Sequence, residues 1–216
     1  MFEVGVEELH KLLLAGRAAS RYAIEHYDEL SARQCAHRLY GPSVYRLGVS
    51  VPSSLTPVRA RKLTKKTRRK DYVVYELDES CDVIRTVHML DYSNVDCTFH
   101  HFDLYGVRYA YPFRGSGNQM YNEEIAAFKY VDGKPFYYAL ISRNLIFIQF
   151  YEYTGEDRMM VSTYRYWPTA EYSQYGYPID RNAPIGAPNS CIQRHCQEEA
   201  YMPIDFSKWL EQNISK

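Results

Sequence analysis

The sequence predicts an α+β fold in which two N-terminal helices pack on a strongly curved antiparallel β-meander of about nine strands. Three observations lead to this prediction. Helical hydrophobic spacing characterises residues 1–40. Short runs rich in Val, Ile, Tyr and Phe follow as far as Trp167, and turn residues separate them at short intervals. The sheet is expected to be an open or half barrel, followed by a long irregular C-terminal segment and a short terminal helix.

Each helix has its own signal. In the segment from Val4 to Tyr27, apolar or small residues recur at the three-to-four spacing of an amphipathic helix. A second helix is predicted from Asp28 to Leu39, with Asp28 as N-cap and Gly41-Pro42 as the stop signal.

The strands are predicted from apolar and β-branched runs, and connectors such as Tyr105-Gly106 and Asp132-Gly133 match two-residue hairpin turns. Successive strands should therefore be antiparallel neighbours. Two strands are apolar on both faces, which indicates that both of their faces are covered. One cover would be the N-terminal helix, and the other either the opposite wall of the sheet or the C-terminal segment. The predicted strands are Val44–Val51, Tyr72–Leu77, Val83–Leu90, Cys97–Leu104, Val107–Phe113, Glu124–Val131, Phe136–Ser142, Leu145–Tyr153 and Met159–Trp167.

A single domain is predicted over residues 1–216. It comprises a helical element (1–40), the meander (43–167) and an irregular C-terminal wrap (168–216) that ends in a short helix at about Asp205–Gln212. The stretch from Pro168 to Met202 is rich in Pro and Gly and lacks periodicity. Loops of this length are usually functional or ordered by packing.

Composition excludes several classes of protein. Hydrophobic residues are 46% and charged residues 24% of the chain, close to the average of globular proteins, so disorder and coiled coils are disfavoured. No apolar run reaches the length of a membrane span. The acidic N-terminus does not resemble a secretory signal, and five scattered cysteines fit a reducing compartment, so the expected location is cytoplasmic.

The strongest charge feature is a segment that we call the basic segment, Arg59 to Lys70. It contains eight cations and no acid, whereas the remaining chain has 18 cations against 26 acids, a net charge of minus eight. Such clustering suits phosphates or an acidic protein, because it gives salt-dependent affinity and steers encounter. The alternative is a solvated loop, or one that neutralises the acidic surface of the protein itself. The eight cations are Arg59, Arg61, Lys62, Lys65, Lys66, Arg68, Arg69 and Lys70.

Aromatic residues supply further binding candidates. The chain has 22 tyrosines and 9 phenylalanines, and a tyrosine combines an apolar ring with a hydroxyl that suits binding surfaces. The alternative is cross-strand packing in a β-rich core. Tyr111 and the glycine-containing loop 114–118, with Arg114 at its base, are therefore proposed as ligand or partner contacts. This loop is not a dinucleotide cradle, because no predicted helix follows it.

A catalytic interpretation rests on one strand. Its residues His101 and Asp103 share a face, and a histidine oriented by a carboxylate can act as a general base. Tyr109 or Tyr111 on the following strand could supply a phenol. No established nucleophile, Walker, kinase or His-Glu-x-x-His motif accompanies them.

Metal binding is not expected. Cys191, His195 and Cys196 form one Cys-x3-His-Cys group, but structural zinc sites usually pair two such knuckles, and the sequence has no second one. Free thiols are the default, and neither a metal nor a cofactor is predicted.

The leading functional hypothesis is a small non-catalytic binding protein of the inhibitor, immunity or sequestering type. It would engage an acidic protein, a nucleotide or a nucleic acid through the basic segment and the tyrosine-rich sheet, without contacting a membrane. The alternative is a small-molecule enzyme or carrier with His101, Asp103 and tyrosines inside a curved sheet. A homo-oligomeric accessory subunit is the third interpretation.

Overall fold

The computed structural model describes residues 4–42, 72–80, 82–89, 95–114, 119–120, 124–132, 134–142, 145–156, 158–167 and 192–200. These ranges contain two helices, α1 (Val6–Glu25) and α2 (Tyr27–Ala32). The strands are β1 (His37–Pro42), β2 (Tyr72–Leu77), β3 (Val83–Met89), β4 (Val95–Leu104), β5 (Val107–Arg114), β6 (Gln119–Met120), β7 (Ile125–Val131), β8 (Lys134–Ile141), β9 (Ile146–Tyr153), β10 (Arg158–Tyr166) and β11 (Ile192–Ala200).

Ten of these strands form one antiparallel sheet. Their order is β1-β2-β3-β4-β5-β7-β8-β9-β10-β11, and the two-residue β6 pairs with β5 beside this path. Strands that are consecutive in the chain are thus neighbours, as in a meander, and the order of the described strands does not close into a ring. The predicted α+β meander is confirmed at this level, with about ten strands rather than nine.

Local sequence signals place most elements correctly. Eight of the nine predicted strands correspond to β2–β5 and β7–β10, with ends that shift by two residues at most. The Tyr105-Gly106 connector has positive φ at both residues, 51° and 72°, as a tight hairpin turn requires. The ninth predicted strand, residues 44–51, lies outside the described part of the chain.

The second helix is shorter than predicted. It ends at Ala32 instead of continuing to Leu39, and the chain then enters β1, so that Gly41 and Pro42 end a strand instead of stopping a helix. The reason is non-local pairing, since the Ala36 backbone N–H donates to the Leu77 carbonyl at 2.8 Å and β1 pairs with β2 from that point. The N-cap also differs: His26 occupies it in place of Asp28, because α2 begins directly after α1.

The predicted irregular segment from Pro168 to Met202 contains a strand. β11 pairs with β10 at nine positions, from Tyr166↔Ile192 to Arg158↔Ala200. Its sequence, IQRHCQEEA, lacks the apolar alternation by which a strand is recognised, and it is the last strand in the order, where one neighbour suffices. Residues 168–191 and the predicted terminal helix lie outside the described ranges.

The chain divides into two compact units. The first comprises Met1–Tyr22, Leu104–Tyr109 and Asn122–Tyr201, and therefore holds most of α1 and strands β7–β11. In it α1 approaches the sheet closely at Gly16, where a Cβ would lie 2.5 Å from Ile141 Cδ1. Tyrosine hydroxyls also contact the N-terminal part of this helix and the residues before it. Tyr164 Oη accepts from the N–H of Val4, just before α1, at 3.4 Å, and Tyr166 Oη lies 3.1 Å from His10 Nδ1.

The core of the first unit extends to both faces of β9. Ile146, Ile148 and Phe150 are buried on one face, and Gln149 and Tyr151 are buried on the other. The Tyr151 hydroxyl donates to Gln149 Oε1 at 3.2 Å. Tyr151, Tyr164 and Tyr166 are therefore core residues whose hydroxyls contact polar groups inside the fold.

The second unit comprises Ala23–Asp103, Ala110–Tyr121 and Met202–Lys216. It contains α2, β1–β3, nearly all of β4, most of β5, and β6. Its described apolar core is formed by Leu30 from α2 and by strand residues including Tyr75, Leu77, Ile84, Cys97, Phe102, Tyr111 and Phe113.

Candidate functional site

The basic segment lies outside the described residues, but the structure fixes both points from which it is connected. Residues 43–71 join β1 to β2, and Pro42 and Tyr72 are directly opposite each other in this strand pair. Opposite residues of antiparallel strands have Cα atoms about 5 Å apart. The two residues that flank the stretch with all eight cations are therefore neighbours in the sheet.

The other predicted contact residues have different positions. Tyr111 is 1% exposed, and its ring centroid lies 5.0 Å from that of Phe113, so its side chain belongs to the core of the second unit. The Arg114 backbone ends β5 opposite Gln119. Loop residues 115–118 are outside the described ranges.

The histidine of the catalytic interpretation is enclosed. His101 is 2% exposed, its Nε2 lies 2.7 Å from Thr86 Oγ1, and its carbonyl accepts from Arg33 Nη1 at 2.8 Å. Asp103 is exposed. Tyr109 is buried in the first unit, and this burial raises the pKa of its phenol. His101 thus contacts a threonine hydroxyl from β3 and an arginine that follows α2.

A row of polar side chains that the sequence analysis did not identify crosses the second unit. Arg38, Glu76, Arg85 and His100 are successive cross-strand partners on β1, β2, β3 and β4, and we call them the Glu76 ladder. Glu76 is only 8% exposed. Its Oε1 accepts from Arg38 Nε at 3.0 Å and its Oε2 from Arg85 Nε at 2.5 Å, so both carboxylate oxygens are engaged. A buried carboxylate requires such pairing.

Helix α2 docks on this ladder through its backbone. The Ser31 carbonyl accepts from Arg85 Nη1 at 2.9 Å, and His100 forms a hydrogen bond with the Leu30 backbone. The Tyr27 ring packs edge-on against the His100 ring, with centroids 5.8 Å apart. The last carbonyls of a helix have no partner within the helix, and here the ladder supplies donors to them.

Burial strongly perturbs the His100 imidazole at the end of this ladder. It is 5% exposed, and its pKa is lowered to about 4, mainly because burial disfavours the charged form. The hydrogen bond to Leu30 and the charge of Glu76 oppose this shift, while the positive charges of Arg85 and Arg33 reinforce it. Within the described part of the chain, its Nδ1 has no hydrogen-bond partner.

The Tyr105 side chain of the first unit extends into solvent. Tyr105 is 94% exposed at the tip of the turn between β4 and β5, with φ at 51°. A non-glycine residue in this left-handed region is strained.

The described residues include no group of three or more His, Cys, Asp and Glu side chains placed to hold a metal ion. Of the predicted Cys-x3-His-Cys group, Cys196 Sγ lies 3.4 Å from Ser162 Oγ and His195 Nε2 lies 3.3 Å from Gln197 Oε1, whereas Cys191 is outside the described ranges. Neither described helix is both long and apolar enough to cross a membrane.

No protein-family model, no curated protein and no solved structure matches this chain.

Proposed function

We propose that this chain is a non-catalytic binding protein that holds an acidic partner through the basic segment. The partner is a phosphate-bearing ligand, such as a nucleotide or a nucleic acid, or an acidic protein surface. The observation that carries the proposal is the concentration of eight cations between Arg59 and Lys70, in a stretch that begins and ends at one strand pair.

Charge segregation supports this function. The rest of the chain has a net charge of minus eight, so its carboxylates compete for the basic segment. A partner must present negative charge more densely than this dispersed surface does. Nucleic acid meets that condition, with one phosphate per about 1.7 Å of duplex, and each phosphate that is neutralised releases counterions. Binding should therefore weaken steeply as salt concentration rises.

The environment of His101 also supports a non-catalytic role. A general base must come within hydrogen-bond reach of the proton that it removes from a substrate. His101 is 2% exposed, and its Nε2 is already within hydrogen-bond distance of Thr86 Oγ1. The hydroxyl gives this ring nitrogen a structural role.

Equilibrium binding with a charge-matched pair of variants tests the proposal. The test variant, Lys66→Glu with Arg68→Glu, reverses two charges of the basic segment. The control, Lys11→Glu with Arg21→Glu, makes the same change in net charge at two exposed positions of α1. The probes are a labelled single-stranded oligonucleotide, ATP and polyglutamate, each titrated at several salt concentrations.

The test variant should lose at least tenfold in affinity for the preferred probe and show a shallower salt dependence, while the control retains most of its affinity. The identity of the preferred probe distinguishes a phosphate-bearing ligand from an acidic protein. Equal losses in both variants would attribute binding to net charge alone. Absence of binding to all three probes would overturn the proposal.

A further inference from the structure

The buried imidazole of His100 lies where α2 meets the sheet of the second unit. It forms a hydrogen bond with the Leu30 backbone, and its ring packs edge-on against Tyr27 and Phe113, with centroids 5.8 and 5.2 Å away. Leu30 and Tyr27 belong to α2, and Phe113 belongs to β5. The His100 side chain therefore contacts both the backbone of α2, at Leu30, and a side chain of α2, that of Tyr27.

The two ring nitrogens have different surroundings. The Leu30 hydrogen bond favours the protonated form of the imidazole, as expected when a ring N–H donates to a carbonyl. Nδ1 is the nitrogen without a partner, so the donor is Nε2 and the neutral ring carries its proton there. A second proton would have to reside on Nδ1. No acceptor faces that atom from the described residues.

The charged groups around His100 do not stabilise the positive charge that a second proton would add to the ring. Arg85 on β3 and Arg33 after α2 are cations, and both disfavour an imidazolium. Glu76 on β2 is the carboxylate that favours it, but its two oxygens already accept from Arg38 and Arg85. Protonation would thus add a buried cation and an unsatisfied N–H beside existing cations.

We propose that His100 is an acid-sensitive latch for α2: when the ring is neutral it holds the helix on the Glu76 ladder, and when it is protonated the helix is released. The release allows the imidazolium to reach water, while the Leu30 and Ser31 carbonyls lose their partners on the sheet. This device acts within the second unit and does not depend on the proposed binding function.

The size of the effect follows from linkage. The pKa of His100 is about 4 in the docked state and 6.5 for an ordinary histidine, so the released state binds the proton more tightly. Stability of the docked state is therefore fully present above pH 6.5 and is lost as the pH falls toward 4. The equilibrium constant for release should rise about 20-fold between pH 7 and pH 5.

Hydrogen exchange of the α2 amides measures this equilibrium. The Leu30 amide, which donates to the His26 carbonyl at 3.0 Å, reports on the helix. After correction for intrinsic exchange rates, its protection in the wild type should fall about 20-fold between pH 7 and pH 5. In His100→Gln the amide side chain can still donate to Leu30 but does not titrate, so protection should be the same at both pH values. His195→Gln, at an exposed histidine of β11, should behave as the wild type does.

An NMR titration of the histidine rings provides a second readout that needs no variant. The ring signals of His100 should stay those of the neutral, Nε2-protonated form until the pH approaches 4. Titration of His100 near its ordinary value, or equal loss of α2 protection in wild type and His100→Gln, would overturn the latch.

Discussion

Gly16→Ala tests the packing of α1 on the sheet of the first unit. Gly16 is buried, and an added Cβ would lie 2.5 Å from Cδ1, 2.6 Å from Cγ2 and 3.0 Å from Cβ of Ile141. Real Cβ contacts are never this short. Rotation about χ2 could move Cδ1, but Cγ2 moves only with χ1, which is restricted in a β-branched residue, and Cβ is fixed to the β8 backbone. The helix itself must therefore move.

The two opposing energies can be compared. Alanine in place of glycine inside a helix gains about 1 kcal/mol. Overpacking of a well-packed core costs typically about 1–3 kcal/mol, and contacts with branched atoms near the backbone put this site at the upper end. The expected net effect is a loss of about 2 kcal/mol in the free energy of unfolding. Gly5→Ala, at the residue before α1, is a control without a steric clash, since nothing lies within 4 Å of its added Cβ.

Urea denaturation of wild type, Gly16→Ala, Gly5→Ala, Ile141→Ala and the double variant Gly16→Ala/Ile141→Ala measures these energies. Gly5→Ala should stay within about 1 kcal/mol of wild type, since alanine is less favourable than glycine at the N-cap of α1 but meets no clash. In the double variant the truncated Ile141 makes room for the new methyl group. The stability lost in the double variant should therefore be smaller than the sum of the two single losses, by at least about 1 kcal/mol. A Gly16→Ala variant as stable as wild type, or strictly additive losses, would refute the packing described here.

Three further outcomes concern single side chains. Glu76→Gln should cost about 3 kcal/mol or more, because Arg85, whose side chain is only 14% exposed, loses its countercharge. Arg38→Ala should cost under about 1 kcal/mol, since that side chain is 58% exposed. A similar cost for both variants in urea denaturation would contradict the ladder. Tyr105→Asn should raise the free energy of unfolding by about 1 kcal/mol, since asparagine tolerates the left-handed turn position, and a loss of stability would contradict the observed φ. Tyr164→Phe should cost about 1 kcal/mol by thermal denaturation if its hydroxyl fastens the start of α1, and no change would remove that role.

The elements that could be predicted from sequence are those whose signals are local. Strands β2–β5 and β7–β10 are apolar or β-branched runs between turn residues, and such runs specify extended structure without knowledge of their neighbours. β1 could not be predicted, because its sequence HRLYGP has no strand pattern and is held by pairing with β2. The polar β11 was missed for the same reason.

The polar site could be predicted only in part. His100 and His101 are adjacent on β4. The sequence pattern favours His101, because Asp103 follows it by two positions, whereas the histidine that belongs to the Glu76 ladder is His100. A signal was available: Glu76 in β2 and Arg85 in β3 are single charges inside mostly apolar strands. Glu76 and Arg85 are opposite each other only in the observed register of β2 and β3. That register depends on a bulge between Glu76 and Leu77, which no local sequence pattern reveals.

Native mass spectrometry of the protein isolated from its own host tests the central claim most directly, because it weighs any bound partner together with the chain. The proposed function predicts an anionic adduct, a nucleotide, an oligonucleotide or an acidic protein, that is lost at high salt. The adduct should be absent from Lys66→Glu/Arg68→Glu and retained by Lys11→Glu/Arg21→Glu. An adduct that survives in both variants, or a chain without any adduct in the wild type at low salt, would contradict the assignment of binding to the basic segment.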